Sequence, residues 1–279
     1  MKILDQLKLK KLSNGSYMQS YPFLNGSIPE LIRPEFYEEL CKNFPAKEYF
    51  EFRPYDQTYF SPNHKDFNEE AGKYILMYED IIGKSGNDIK SKSINLSDSW
   101  KYLINDLQSD EYKETIAKIA KWDPDDLEIS IEWQIYPTGG EQPPHMDTYV
   151  KLVPHLFYFN PDWSSEWGGE TSIFGFADGM LRKQKSQLSY NDFDIEFKSP
   201  CAGNTSMLFV RDEKSWHGVR PTKNPKGTYR KTMLAVALSK KNHTFIHRKI
   251  MLNNFLSSFL PIKFLNWAKS KSVHRNYKL

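Results

Sequence analysis

A chain of 279 residues that is 39% hydrophobic and 15% aromatic is long enough to bury a proper core without disulfide or metal staples, as one large domain or a domain with an extension. Its net charge of +3 is too small to point to nucleic acid, and no apolar stretch is long enough to span a membrane. Cys41 and Cys201 show neither metal spacing nor a disulfide pattern, and the segment from Met1 to Asn14 has lysines but no long apolar run, so a cytoplasmic protein without a signal peptide is expected.

Residues 1–33 read as an irregular lead-in with turn signals at Asn14-Gly15 and Asn25-Gly26. Pro34 opens a short helix that ends before Pro45, with Glu35, Glu38 and Glu39 in its early turns and Phe36, Leu40 and Phe44 at helical spacing. Asn68 to Asp80 reads as a second helix capped by Asn68, and Gly83 to Asn95 as an exposed loop. Ser97 or Ser99 caps a third helix through Leu107, and Glu111 to Lys121 forms a fourth, stopped by Pro124.

The pattern changes at Leu127. Leu127, Ile129, Ile131, Trp133 and Ile135 alternate with Glu128, Ser130, Glu132 and Gln134, which predicts a half-buried strand. Further strands are expected at 152–159, 170–174, 194–197, 206–211 and 231–238, separated by turn clusters such as Asn160-Pro161-Asp162 and Asn224-Pro225-Lys226-Gly227. Many short strands after a run of helices predict a mostly β protein, an antiparallel jelly roll with helices packed on one side. The expected organisation is a helical region over 1–125 packing on the core, a β core over 126–240 and a basic, aromatic helical tail over 241–279.

The stretch from Gln134 to Asp147 carries the chemistry. A strand ends at Tyr136, a Gly/Pro-rich turn follows, and His145 and Asp147 come two positions apart, where an extended segment points both side chains to one side. An imidazole and a carboxylate facing one point are two-thirds of a facial site in which two His and one carboxylate hold one side of Fe(II). His217, between the strands 206–211 and 231–238, is the candidate third ligand. Arg230 follows thirteen residues later at the head of an apolar strand, with the hydroxyl of Thr232 two residues on, facing the same way. A buried guanidinium needs a partner. Either a structural Asp or Glu supplies it, or Arg230 and Thr232 clamp the far carboxylate of a small dicarboxylic acid.

With these residues in this order the sequence resembles the Fe(II)- and 2-oxoglutarate-dependent dioxygenases, especially the prolyl-4-hydroxylase-like branch. The resemblance runs from about Glu132 to Leu238. It rests on Tyr136 nine residues before His145, His145-Met-Asp147, Leu156-Phe-Tyr-Phe-Asn160, Gly168-Gly-Glu-Thr171, His217-Gly-Val219 and Arg230-Lys-Thr232. It implies a double-stranded β-helix, cupin-like core, iron held by His145, Asp147 and His217, and 2-oxoglutarate held by Arg230 and Thr232 with Tyr136 assisting. It also implies use of O2, with ascorbate as the reductant, and release of succinate and CO2. In halogenating relatives a small residue replaces the carboxylate; Asp147 is present, so hydroxylation or a related C–H oxidation is implied. A small-molecule or peptidyl substrate is expected, such as a peptidyl or free amino acid or a sugar or glycan precursor. Two other functions stand beside this one, a jelly-roll binding protein without catalysis and a cupin-like isomerase or lyase using the metal as a Lewis acid.

Other residues carry two readings each. Tyr136 is a cosubstrate contact or a core aromatic, and Gly168-Gly169 serves a strand entry or lines the site. Arg220 and Lys151, placed just after His217 and the His-Met-Asp motif, meet an anionic substrate or stay solvated. Trp163 and Trp167 line a substrate entrance or pack a turn. His155 is expected packed or hydrogen-bonded in the core, while His243 and His247 are expected at the surface. The tail from His243 to Leu279 is a helix packed on the domain, or a peripheral anchor on an anionic membrane surface at the inner face of the membrane.

Overall fold

The computed structural model describes residues 1–54, 72–83, 94–176, 190–201 and 203–242. The N-terminal lead-in carries structure that composition hid. Asp5 accepts from Lys8 N at 3.0 Å and caps α1 (Gln6–Ser13), which buries Leu9 and Leu12. After it come β1 (Met18–Gln19) and β2 (Asn25–Pro29). The Asn25-Gly26 turn signal sits inside β2, because β2 pairs along its whole length with a strand far away in sequence, and tertiary pairing overrides local preference.

The predicted first helix is present as α2 (Pro34–Lys42), followed by β3 (Glu51–Pro54). The predicted second helix is not. Of that segment residues 68–71 lie outside the described residues, Gly72–Met77 is a strand, β4, and only the single turn α3 (Tyr78–Ile81) is helical. The run Lys73-Tyr-Ile-Leu-Met77 is extended because it pairs antiparallel with the long strand beginning at Leu127. The remaining helices follow the sequence closely. Ser97 caps α4 (Asp98–Leu107), and Ser109 caps α5 (Asp110–Ala120).

The alternating segment is β5 (Leu127–Tyr136), and after it come β6 (Gln142–His145), β7 (Lys151–Tyr158), β8 (Thr171–Phe176), β9 (Phe193–Lys198), β10 (Thr205–Phe209), β11 (His217–Val219) and β12 (Arg230–Ser239). They form an eight-stranded sheet in the order β1-β2-β10-β7-β12-β5-β4-β3 and a four-stranded sheet β6-β11-β8-β9. This is the double-stranded β-helix architecture. Residues Met1–Leu238 make one compact unit, and a second begins at Ser239, of which residues to Asn242 are described. The histidines His243 and His247 and the basic aromatic tail lie outside the described residues, and no described helix is long and apolar enough to cross a membrane.

The period of two along β7 and β12 divides the core. Met233, Ala235 and Ala237 of β12, with Val153 and Phe157 of β7, pack against the helices. Leu234 and Val236, with Leu156 and Tyr158, face the smaller sheet and meet Ile173 of β8. Arg230 and Thr232 share the second parity, so they point between the sheets. On the helical side Trp100 contacts Trp133 edge-to-face at 5.5 Å and Phe159 at 4.9 Å, an aromatic cluster fixing α4 to β5 and β7.

His155 lies at the centre of that helical interface, fully buried, its Nδ1 2.8 Å from the Tyr112 hydroxyl of α5. Burial depresses its pKa to about 3. The folded state therefore holds a neutral imidazole where the unfolded chain titrates near 6.5, so the stability it supports is full above that pH and falls as pH drops below it. The loss approaches about 1.4 kcal/mol per pH unit. We expect urea midpoints of the metal-free protein to fall between pH 7 and 5, with a shallower fall in His155→Gln. Equal slopes in the two proteins would show that His155 takes up its proton without cost.

Candidate metal centre

The site is assembled by the pairing of two short strands. β6 runs antiparallel to β11 with His145 directly opposite His217, their rings 4.2 Å apart. Gly218 follows His217 because the strands touch there: a Cβ at this position would lie 2.5 Å from Gln142 O. Asp147 lies past the end of β6, yet its carboxylate turns to the same point, Oδ2 standing 3.7 Å from His217 Nε2. One ligand atom from each of His145, Asp147 and His217 lies within 4.8 Å of the others. The expected HxD geometry thus arises from a strand end followed by a turn, not from one continuous strand.

The backbone sets which nitrogen faces inward. His145 Nδ1 is 2.8 Å from Pro143 O, and His217 Nδ1 is 2.9 Å from Ser215 O. A carbonyl only accepts, so Nδ1 carries the proton on both rings and Nε2 keeps its lone pair for a ligand. Burial, then the neighbouring His217, depresses His145 to about 3, and burial also lowers His217. For Asp147 burial works against ionisation, but Lys151, then His217 and His145, outweigh it and hold the carboxyl at about 2. Lys151 Nζ lies 3.4 Å from Asp147 Oδ1. Two neutral imidazoles and one carboxylate, all in ligating form, suit a divalent cation of intermediate softness such as Fe(II).

Arg230 and Thr232 are both fully buried at the start of β12. Arg230 Nε donates to Gly169 O at 2.5 Å and Nη2 to Thr171 Oγ1 at 3.2 Å. Gly169 has φ +84°, and a Cβ there would meet Arg230 Cδ at 3.0 Å, so this glycine serves the guanidinium directly. Among the described residues no carboxylate pairs with Arg230. Its Nη1 and the Thr232 hydroxyl have no hydrogen-bond partner among the described residues. The guanidinium carbon is 4.8 Å from the Tyr136 ring and 5.3 Å from the Tyr158 ring.

Of the remaining candidates, Lys151 joins the centre through Asp147. Arg220 is exposed, its guanidinium 5.2 Å from the Tyr190 ring. Trp163 is buried and donates to Gly168 O at 2.7 Å, edge-to-face with Trp167 at 5.1 Å, beside the Arg230 end of the site. Two residues were not singled out from sequence. Tyr158 donates to Thr171 Oγ1 at 2.9 Å in the Arg230 network, and its place on the inward parity of β7 was the available signal. Lys73 has its ammonium 5.9 Å from the Tyr136 ring, and the helical reading of Asn68–Asp80 concealed it.

No family model and no curated protein matches the chain. Solved structures do. A prolyl-4-hydroxylase of Pseudomonas putida aligns with a TM-score of 0.51 and 14% identity over 82% of this chain and 99% of that one. The fold is that of the prolyl hydroxylases. A second prolyl hydroxylase, from Trichoplax adhaerens and solved with a hypoxia inducible factor oxygen degradation domain peptide fragment, aligns at 0.50 and 15% identity over 85% of this chain and 90% of that one. At these identities the likeness is one of architecture, and within the prolyl-hydroxylase fold the site residues stand on their own geometry.

His145 and Asp147 hold their ligating forms well below neutrality and burial lowers His217 as well, so metal affinity has less proton competition to overcome than at ordinary histidines. We expect Co(II) affinity, followed by its visible spectrum, to change much less between pH 7.5 and 5.5 than the roughly 100-fold that two ordinary histidines would cost. His145→Ala should lower affinity on the order of 100-fold. A steep pH dependence in the wild type would contradict the assigned protonation states.

Proposed function

We propose that this chain is an Fe(II)- and 2-oxoglutarate-dependent dioxygenase that hydroxylates a C–H bond of a small-molecule or peptidyl substrate, releasing succinate and CO2. The observation that carries the reading is the pair of buried donors without partners, Arg230 Nη1 and Thr232 Oγ1, on the strand face that points between the sheets. An unmet donor in such a place costs about 1–3 kcal/mol, more when charged, so the pair is complementary to an absent acceptor. A carboxylate satisfies both, since a guanidinium and a hydroxyl two residues apart offer converging bonds to its oxygens.

His145, Asp147 and His217 hold the ion in this reading, and Arg230 and Thr232 hold the far carboxylate of 2-oxoglutarate, with Tyr136 flanking. When bound, Fe(II) with 2-oxoglutarate and O2 supplies the oxidising chemistry that no side chain here can perform, ascorbate keeping the metal reduced. The chain contributes position. Gly169 and Thr171 fix the plane of the guanidinium, and Tyr136 and Tyr158 stack near it and keep water from the clamp. Lys151 offsets part of the Asp147 charge. The peptide seen in the Trichoplax adhaerens enzyme supports the peptidyl option for the substrate.

The test is anaerobic. Fe(II) and 2-oxoglutarate added together to metal-free protein should give a weak visible charge-transfer band that neither gives alone. Thr232→Val removes a hydroxyl that has no partner in the free protein, so its thermal stability should match or exceed wild type. Its 2-oxoglutarate affinity, read from the band, should fall roughly 10- to 100-fold. No band, or a band unaffected in Thr232→Val and Arg230→Lys, would sink the proposal.

A further inference from the structure

Lys73 sits in a cross-strand row. On one side its partner in β3 is Arg53; on the other the β4–β5 register, with Tyr74 opposite Ile135, sets it across from Tyr136. Directly opposed residues of antiparallel strands share a face. The ammonium accordingly lies 5.9 Å from the Tyr136 ring, the ring that also lies against Arg230. The row therefore presents Lys73 to the interior that holds the metal ligands.

Among the described residues this cation has no counter-ion. Arg53 pairs with Glu51 at 3.2 Å, whereas Lys73, half-buried, makes no ion pair or hydrogen bond with any described residue. Like charges directly opposite one another destabilise a sheet, and partial burial of an ammonium without a counter-ion adds to the cost. An arrangement that is unfavourable in the free protein becomes favourable with an anion beside it. Two such anions are already placed by the function proposed above, on which this step rests. One carboxylate of 2-oxoglutarate belongs to Arg230 and Thr232, and the other belongs to the metal.

We propose that Lys73 receives a negatively charged group of the substrate, a carboxylate or a phosphate, and so selects an anionic substrate and positions it over the centre. Lys73 is a specificity residue here. The hydroxylated carbon is carried by a molecule whose acidic group reaches the β4 side of the site while the C–H faces His145 and His217.

The experiment uses the full chain with its lysines reductively 13C-methylated and Zn(II) in the metal site, with zinc and 2-oxoglutarate binding first verified by calorimetry. The Lys73 resonance is assigned from its absence in Lys73→Arg. At constant ionic strength, sodium phosphate and sodium acetate are titrated separately into the complex with 2-oxoglutarate. The proposal expects the Lys73 signal to stay nearly still on 2-oxoglutarate addition. It should then shift saturably with one of the two anions, at a midpoint at least tenfold below that of the other lysines. The anion that binds more tightly tells phosphate from carboxylate. A saturable shift on 2-oxoglutarate itself would make Lys73 a cosubstrate ligand and overturn the inference, as would a linear drift with both anions like that of surface lysines. Absence of zinc or 2-oxoglutarate binding in the calorimeter would instead overturn the proposed function, and this inference with it.

Discussion

The pairing of His145 with His217 is the constraint on which the site depends. Two opposed residues on antiparallel strands have their side chains on one face about 5 Å apart, so once the register is set the two imidazoles meet without help from any loop. A slip of one residue would turn either histidine to the other face. The strand that carries His145 is an edge strand made of Gln142-Pro-Pro-His, and the edge is where a sheet tolerates proline, since no neighbour asks for the missing N–H.

Charge in the interior is handled by two opposite strategies. Around the triad, burial keeps both imidazoles neutral while Lys151 helps hold the carboxylate ionised, so near neutral pH no ligand has to shed a proton to take a cation. At Arg230 the protein supplies Gly169 and Thr171 as partial partners and the faces of Tyr136 and Tyr158 as walls, then leaves one nitrogen unmet. The cost is tolerable because the aromatic cluster of Trp100, Trp133 and Phe159 lies on the other face of the same sheet, where it owes nothing to function.

The fold class and the proposed ligand residues were legible because they depend on local pattern. β5 announced itself by strict alternation, α4 by its serine cap, α5 by the stop at Pro124, and His145, Asp147, His217 and Arg230 by residue types that strands rarely place together without reason. What was not legible depends on partners far along the chain. β4 was read as helix because Lys73-Tyr-Ile-Leu-Met carries no alternation and its pairing with β5 cannot be seen locally, and Lys73 was hidden with it. β2 was hidden by an Asn-Gly that signals a turn in isolation and lies within a paired strand here. Tyr158 sat inside a motif that was noticed, but only the parity of β7 shows that its hydroxyl joins the guanidinium network.

The order of strands bears on how the protein is made. β12 lies near the end of the described chain yet in the middle of the larger sheet, between β7 and β5. Until a ribosome has released it, β5, β4 and β3 on one side and β7, β10, β2 and β1 on the other have no strand to join them, and each half exposes an unpaired inner edge. Such distant pairing is slow to form and vulnerable to misassociation while it waits. The strand that closes the sheet is also the one that bears Arg230 and Thr232. Nascent or truncated chains therefore lack the proposed anchor for a dicarboxylate altogether, and completion of the fold and completion of that proposed pocket are a single event in synthesis.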